Sequence, residues 1–141
     1  MRTRIAAAAV GMTALLAVPA TASAAPATTP GVTAGPVSCA TDASFAGNPC
    51  VWQERDAAGL AGVARLIPTA GLPVVAKVEL KTQRAWGSPW VTVSSTTALH
   101  AGPALLTTPK VVTNELSIVC VTTTPALSPG QQSTLCTHPS A

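Results

Sequence analysis

The sequence predicts an all-β sandwich of seven or eight short antiparallel strands, held by two disulfides. Three observations carry that expectation. Prolines recur after Val37 at positions 49, 68, 73, 89, 103, 109, 125, 129 and 139, so most intervals are too short for an ordinary helix. Between them lie β-branched runs that alternate apolar and polar residues, the period of a half-buried strand. The cysteines number four, at positions 39, 50, 120 and 136, and an even count suits a disulfide framework.

In chain order, Arg2 and Arg4 precede an uncharged run over residues 5–18, and Ala22, Ser23 and Ala24 supply a small-x-small site. This is the pattern of a general secretory signal peptide cleaved after Ala24, which makes the protein a secreted, extracellular one. The uncharged run is 14 residues long and includes Gly11 and Thr13. A membrane span needs roughly 18 apolar residues, so no stable membrane insertion is expected after cleavage. Residues 25–36, without charge or period, read as a flexible Ala/Pro/Thr-rich arm. The β-sandwich domain is expected over residues 37–141.

Within that domain, residues 74–82 form the clearest strand. Val74, Ala76, Val78 and Leu80 fall on one face, and Lys77, Glu79 and Lys81 on the other. Residues 90–94 alternate again, which makes the pair a hairpin around Gly87, Ser88 and Pro89. Residues 116–123, with Ile118, Val119, Cys120 and Val121 apolar on both faces, read as a strand covered on both sides. Shorter candidates are residues 50–54, 61–67, 104–107, 110–113 and 133–137, which completes the strand count of a sandwich. Residues 56–66 are proline-free and Ala-rich, yet Gly59 and Gly62 would each cost a helix about 1 kcal/mol relative to alanine. A turn followed by a strand is expected there instead.

The formal charge of +3 belongs largely to the export signal. Beyond residue 24, six basic side chains (Arg55, Arg65, Lys77, Lys81, Arg84, Lys110) face five acids (Asp42, Glu54, Asp56, Glu79, Glu115), a net of +1. Neither nucleic acid nor an anionic lipid surface is therefore expected as a partner. The same 117 residues hold 17 threonines and 9 serines, so hydroxyls take over the solubilising role of charge. Strand edges are left weakly guarded against further pairing.

Spacings of ten and fifteen intervening residues between cysteines, in an exported chain, fit disulfides rather than a metal site. The simplest pairing is local, Cys39 with Cys50 and Cys120 with Cys136, each loop contributing roughly 3 kcal/mol. The rival, Cys39 with Cys120, would bridge two sheets. Trp52, thirteen residues after Cys39, suggests it, whereas Ile118 stands where that arrangement places a tyrosine.

Trp86 and Trp90 bracket the hairpin loop, with Arg84 just before them. Large aromatics at a loop tip are frequent binding anchors, so these three residues are the candidate binding set. The competing reading is that the tryptophans fold back as core, since one phenylalanine and three tryptophans are all the aromatics available. Catalysis has little to work with. No nucleophile elbow occurs, and His100 and His138 stand beside glycine or proline turns without a motif. Glu54 and Asp56, flanking Arg55, read as a solvated turn rather than a carboxylate pair. No catalytic residue, metal or cofactor is expected.

The alternation of Val78 and Leu80, the Gly-Ser turn, Trp90 and Val93, and the late Cys120-Val121 strand resemble small secreted immunoglobulin-like β-sandwich proteins of high-GC Gram-positive bacteria. The resemblance spans residues 37–138 and implies fold and export but no activity. The enediyne apoproteins are similar in size, export and two local disulfides, though not in cysteine spacing. The small α-amylase inhibitors of the same bacteria are similar in their disulfides, and Arg84-Ala85-Trp86 resembles their aromatic-arginine recognition turn without a tyrosine. Three functions are thus expected as alternatives. They are a non-catalytic binding module for a protein or carbohydrate, an inhibitor of an extracellular hydrolase, and an extracellular coat or assembly protein.

Overall fold

The computed structural model describes residues 29–141, so the signal peptide and residues 25–28 of the arm lie outside the described residues. Nine antiparallel strands and no helix occur there: β1 (Thr33–Ala34), β2 (Ser38–Cys39), β3 (Cys50–Asp56), β4 (Gly59–Leu66), β5 (Val74–Gln83), β6 (Val91–His100), β7 (Ala104–Thr107), β8 (Leu116–Pro125) and β9 (Ser133–Cys136). One sheet runs β1-β3-β4-β7, with β2 also on β3, and the other runs β6-β5-β8-β9. The chain therefore changes sheet three times, each time through a loop containing proline or glycine.

The core between the sheets is aliphatic. Val51, Leu60, Ala64, Leu66 and Leu106 from one sheet cluster with Ala76, Val78, Leu80, Val119 and Val121 from the other. These positions follow the alternation of β5 and β8; the opposite face of β5 carries Lys77, Glu79 and Lys81, and that of β8 carries Ile118, Cys120, Thr122 and Thr124. At Gly62 the sheets come so close that an added Cβ would lie 2.8 Å from Cγ1 of Val119. Beside it, buried Gln53 ties the sheets together. Its Nε2 donates to the Ser117 carbonyl at 2.9 Å, and its Oε1 accepts from the Ser117 and Ser140 hydroxyls at 3.0 and 3.1 Å.

Both disulfides are local, Cys39–Cys50 and Cys120–Cys136, and each joins directly opposed residues of neighbouring strands. The inter-sheet pairing is overturned, and Trp52 sits on the outer face of β3, buried with Cys50 and Val63. Three expectations need amendment. β6 extends through His100, because Ser95, Thr97 and Leu99 continue the period beyond residue 94. Residues 110–113 form no strand: Val111 alone bridges Leu60, while Val112 stands 86% exposed. In the arm, Thr33 and Ala34 pair with Arg55 and Glu54, and the Gly35 N–H reaches the Gln53 carbonyl at 2.8 Å. That pairing satisfies backbone groups along what would otherwise be a bare β3 edge.

Candidate functional site

β5 connects two ends of the molecule with different surfaces. Its ten residues rise roughly 3.3 Å each, so its termini lie about 30 Å apart. Beyond Gln83 comes the 84–90 loop, and before Val74 lies a concave end built from three loops.

The loop is a turn fastened by its own hydrogen bonds. The Ser88 N–H donates to the Ala85 carbonyl at 3.0 Å, and the Ala85 N–H donates to the Ser88 hydroxyl at 3.1 Å. The same hydroxyl donates back to the Ala85 carbonyl, and the Gln83 amide holds the Ser88 carbonyl. Gly87 has a φ of +87°, the left-handed conformation that the third residue of such a turn requires. Trp86 is consequently presented at the tip, 84% exposed. Trp90 is half-buried at the base of the loop. Arg84 lies 3.6 Å from a Glu115 carboxylate oxygen, its side chain otherwise in solvent. The three residues expected from sequence therefore share one loop, but only Arg84 and Trp86 project freely from it.

The opposite end was not anticipated from the sequence. Residues 43–48, 69–74 and 125–133 surround a cavity of about 650 Å³. Phe45, the chain's one phenylalanine, lines it with Leu72, Pro73, Val74, Pro125 and Leu127. Hydroxyl and amide side chains complete the wall, among them Ser44, Thr69, Gln131 and Gln132, and no charged residue contributes. The loops are tied to one another. The Ser133 hydroxyl donates to the Ser44 carbonyl at 2.9 Å, the Ile67 N–H to the Gly47 carbonyl at 2.7 Å, and the Ala126 N–H to the Pro73 carbonyl at 2.9 Å. Gly47 and Asn48, at φ of +79° and +43°, turn the first loop against Val74. The signal in the sequence was the cysteine pattern, since each local disulfide closes a segment that forms one wall.

Arg84 apart, the charged groups lie away from both features or at their margins. Hydrogen bonds from the Ser44 hydroxyl and N–H hold Asp42 below the usual carboxylate range. Lys110 and the Ala58 N–H do the same for Asp56. Among the described residues no group of three or more His, Cys, Asp or Glu could hold a metal, and no helix is long and apolar enough to cross a membrane. No protein-family model, curated protein or solved structure matches the chain.

Proposed function

We propose that this chain is a secreted, non-catalytic binding module of the immunoglobulin-like type that engages an extracellular protein through Arg84 and Trp86. The observation that carries this reading is Trp86 itself, 84% exposed on a turn made rigid by its own hydrogen bonds. Leaving so much aromatic surface in water forfeits stabilisation, and tryptophan and arginine are the residue types that dominate protein interface energetics. A fixed turn also loses little conformational freedom on binding. Two disulfides fit an oxidising exterior. The strand order supports the immunoglobulin-like assignment, with β3-β4-β7 on one sheet and β6-β5-β8-β9 on the other.

The test begins with a protein retained from culture medium by the immobilised domain and then purified. Trp86→Ala is expected to weaken its binding at least tenfold, the effect of losing a hot spot. Equal binding by the variant would remove the loop from the interface, and retention only on polysaccharide supports would make the partner a carbohydrate. If the retained protein is a hydrolase and loses activity, the module is an inhibitor acting through the same loop.

One observation favours self-assembly as a second reading. β6 is a ten-residue edge strand without Lys, Arg, Asp or Glu, and its Val91 and Leu99 are 57% and 62% exposed. Such an edge is a template for strand addition. Concentration-dependent association that Thr97→Lys abolishes would establish this reading; a monomer at all concentrations would end it.

A further inference from the structure

The cavity at the far end of β5 has the construction of a ligand site, independent of the 84–90 loop. Its volume of about 650 Å³ lies within the range of small-molecule pockets. Its chemistry is that of such pockets too: Phe45, Pro73, Val74 and Pro125 make apolar walls, and exposed Leu72 and Leu127 share the rim with hydroxyl and amide groups. Cys39–Cys50 closes the segment that supplies Phe45, Cys120–Cys136 closes the β8–β9 connection that supplies Leu127, and the Ser133–Ser44 hydrogen bond joins the two. The first disulfide thus lies beside one wall, and the second closes the chain segment of another from three strand pairs away. Preorganisation of this kind lowers the ordering cost of binding.

We infer that this cavity binds a neutral, mainly apolar small molecule bearing hydroxyl or carbonyl groups. Neutrality follows from the wall, which offers no side-chain charge to pair with an ion, so a charged ligand would lose its hydration without compensation. The hydrogen-bonding substituents follow from Ser44, Thr69, Gln131 and Gln132.

Nile red, a neutral dye whose emission shifts to the blue in apolar surroundings, is the probe, and the anionic dye ANS is the comparison. The secreted protein is expected to bind Nile red saturably at one site, with ANS at least tenfold weaker. Leu127→Glu and Leu72→Glu place a carboxylate on the rim at positions 72% and 52% exposed, so neither disturbs the core. Each is expected to weaken Nile red binding about tenfold, from lost apolar contact and an unpaired charge beside the dye. Trp86→Ala is expected to leave it unchanged. Absence of saturable binding, indifference to both rim substitutions, or loss with Trp86→Ala would each overturn the inference. The last of these would place the dye on the loop, so the two sites fail separately.

Discussion

Two buried residues, Gln53 and Gly62, set the distance and register between the sheets. Gln53, itself buried, satisfies three polar groups of Ser117 and Ser140 with one side chain. Replacing it by alanine would remove one of two donors to the Ser117 carbonyl, which keeps the Ser140 N–H at 3.0 Å, would leave the Ser117 hydroxyl only the Ser140 carbonyl at 3.1 Å, and would deprive the Ser140 hydroxyl of its acceptor. Gln53→Ala is expected to lower unfolding stability by about 2 kcal/mol, read as a lower urea midpoint with an unchanged slope. Gly62 acts through what it lacks. Its missing Cβ leaves room for Val119, a fully buried β-branched side chain with little freedom to turn aside. Gly62→Ala is therefore expected to cost about 1–3 kcal/mol despite alanine's better backbone entropy, because overpacking between the sheets outweighs it. Equal or greater stability in either variant would show that the sheets tolerate rearrangement here.

Among the elements, β5 was the most readable from sequence, because apolar and charged residues alternate from Ala76 to Lys81, which fixes both its type and its buried face. β1 and β2 were not, since two-residue strands have no period and exist only because β3 offers them an edge. The charged face of β5 carries a pH response. Burial raises the Glu79 carboxyl, but the hydrogen bond from Lys77, the charges of Lys81 and Lys77, and the Thr92 hydroxyl together outweigh it and leave the group below its ordinary range. The unfolded chain binds that proton more readily than the folded one. The stabilisation is therefore complete above an ordinary glutamate value of about 4.3 and is lost as pH falls through the lower folded value. Thermal midpoints measured from pH 7 to pH 3 are expected to decline on the acid side. Glu79→Gln should lower the midpoint at pH 7 and flatten part of the decline. A parallel decline in the variant would assign the acid response to Asp42 and Asp56 instead, whose carboxyls are lowered as well.

At the scale of the molecule, the aliphatic alternation marked the sandwich and the cysteine spacing marked its two local bridges, but neither revealed what the bridges enclose. A cavity made by residues 43–48, 69–74 and 125–133 is a property of three loops meeting in space, and no single segment carries its pattern. Trp86 posed the reverse difficulty: its position at a turn was visible, whereas its exposure depended on whether the sandwich had room for it. Between the sheets the core is filled by aliphatic side chains alone, and the buried tryptophan, Trp52, packs outside it with Cys50 and Val63. The two disulfides can now be assigned a double consequence. Cys120–Cys136 lies midway along β8 and closes the connection that supplies Leu127 from the far side of three further strand pairs, Val121 with Leu135, Thr122 with Thr134 and Thr123 with Ser133. Replacing both cysteines by serine releases a 16-residue separation in the unfolded chain and is expected to cost about 3 kcal/mol. It should also weaken Nile red binding, because the released wall must be ordered again when the dye binds. Acrylamide quenching of Trp86 should stay as it is, since its turn is held by Ala85, Ser88 and Gln83 rather than by either disulfide. A variant that loses stability but keeps full dye affinity would show that the hydrogen bonds from Ser133 to Ser44 and from Ala126 to Pro73 suffice to hold the wall.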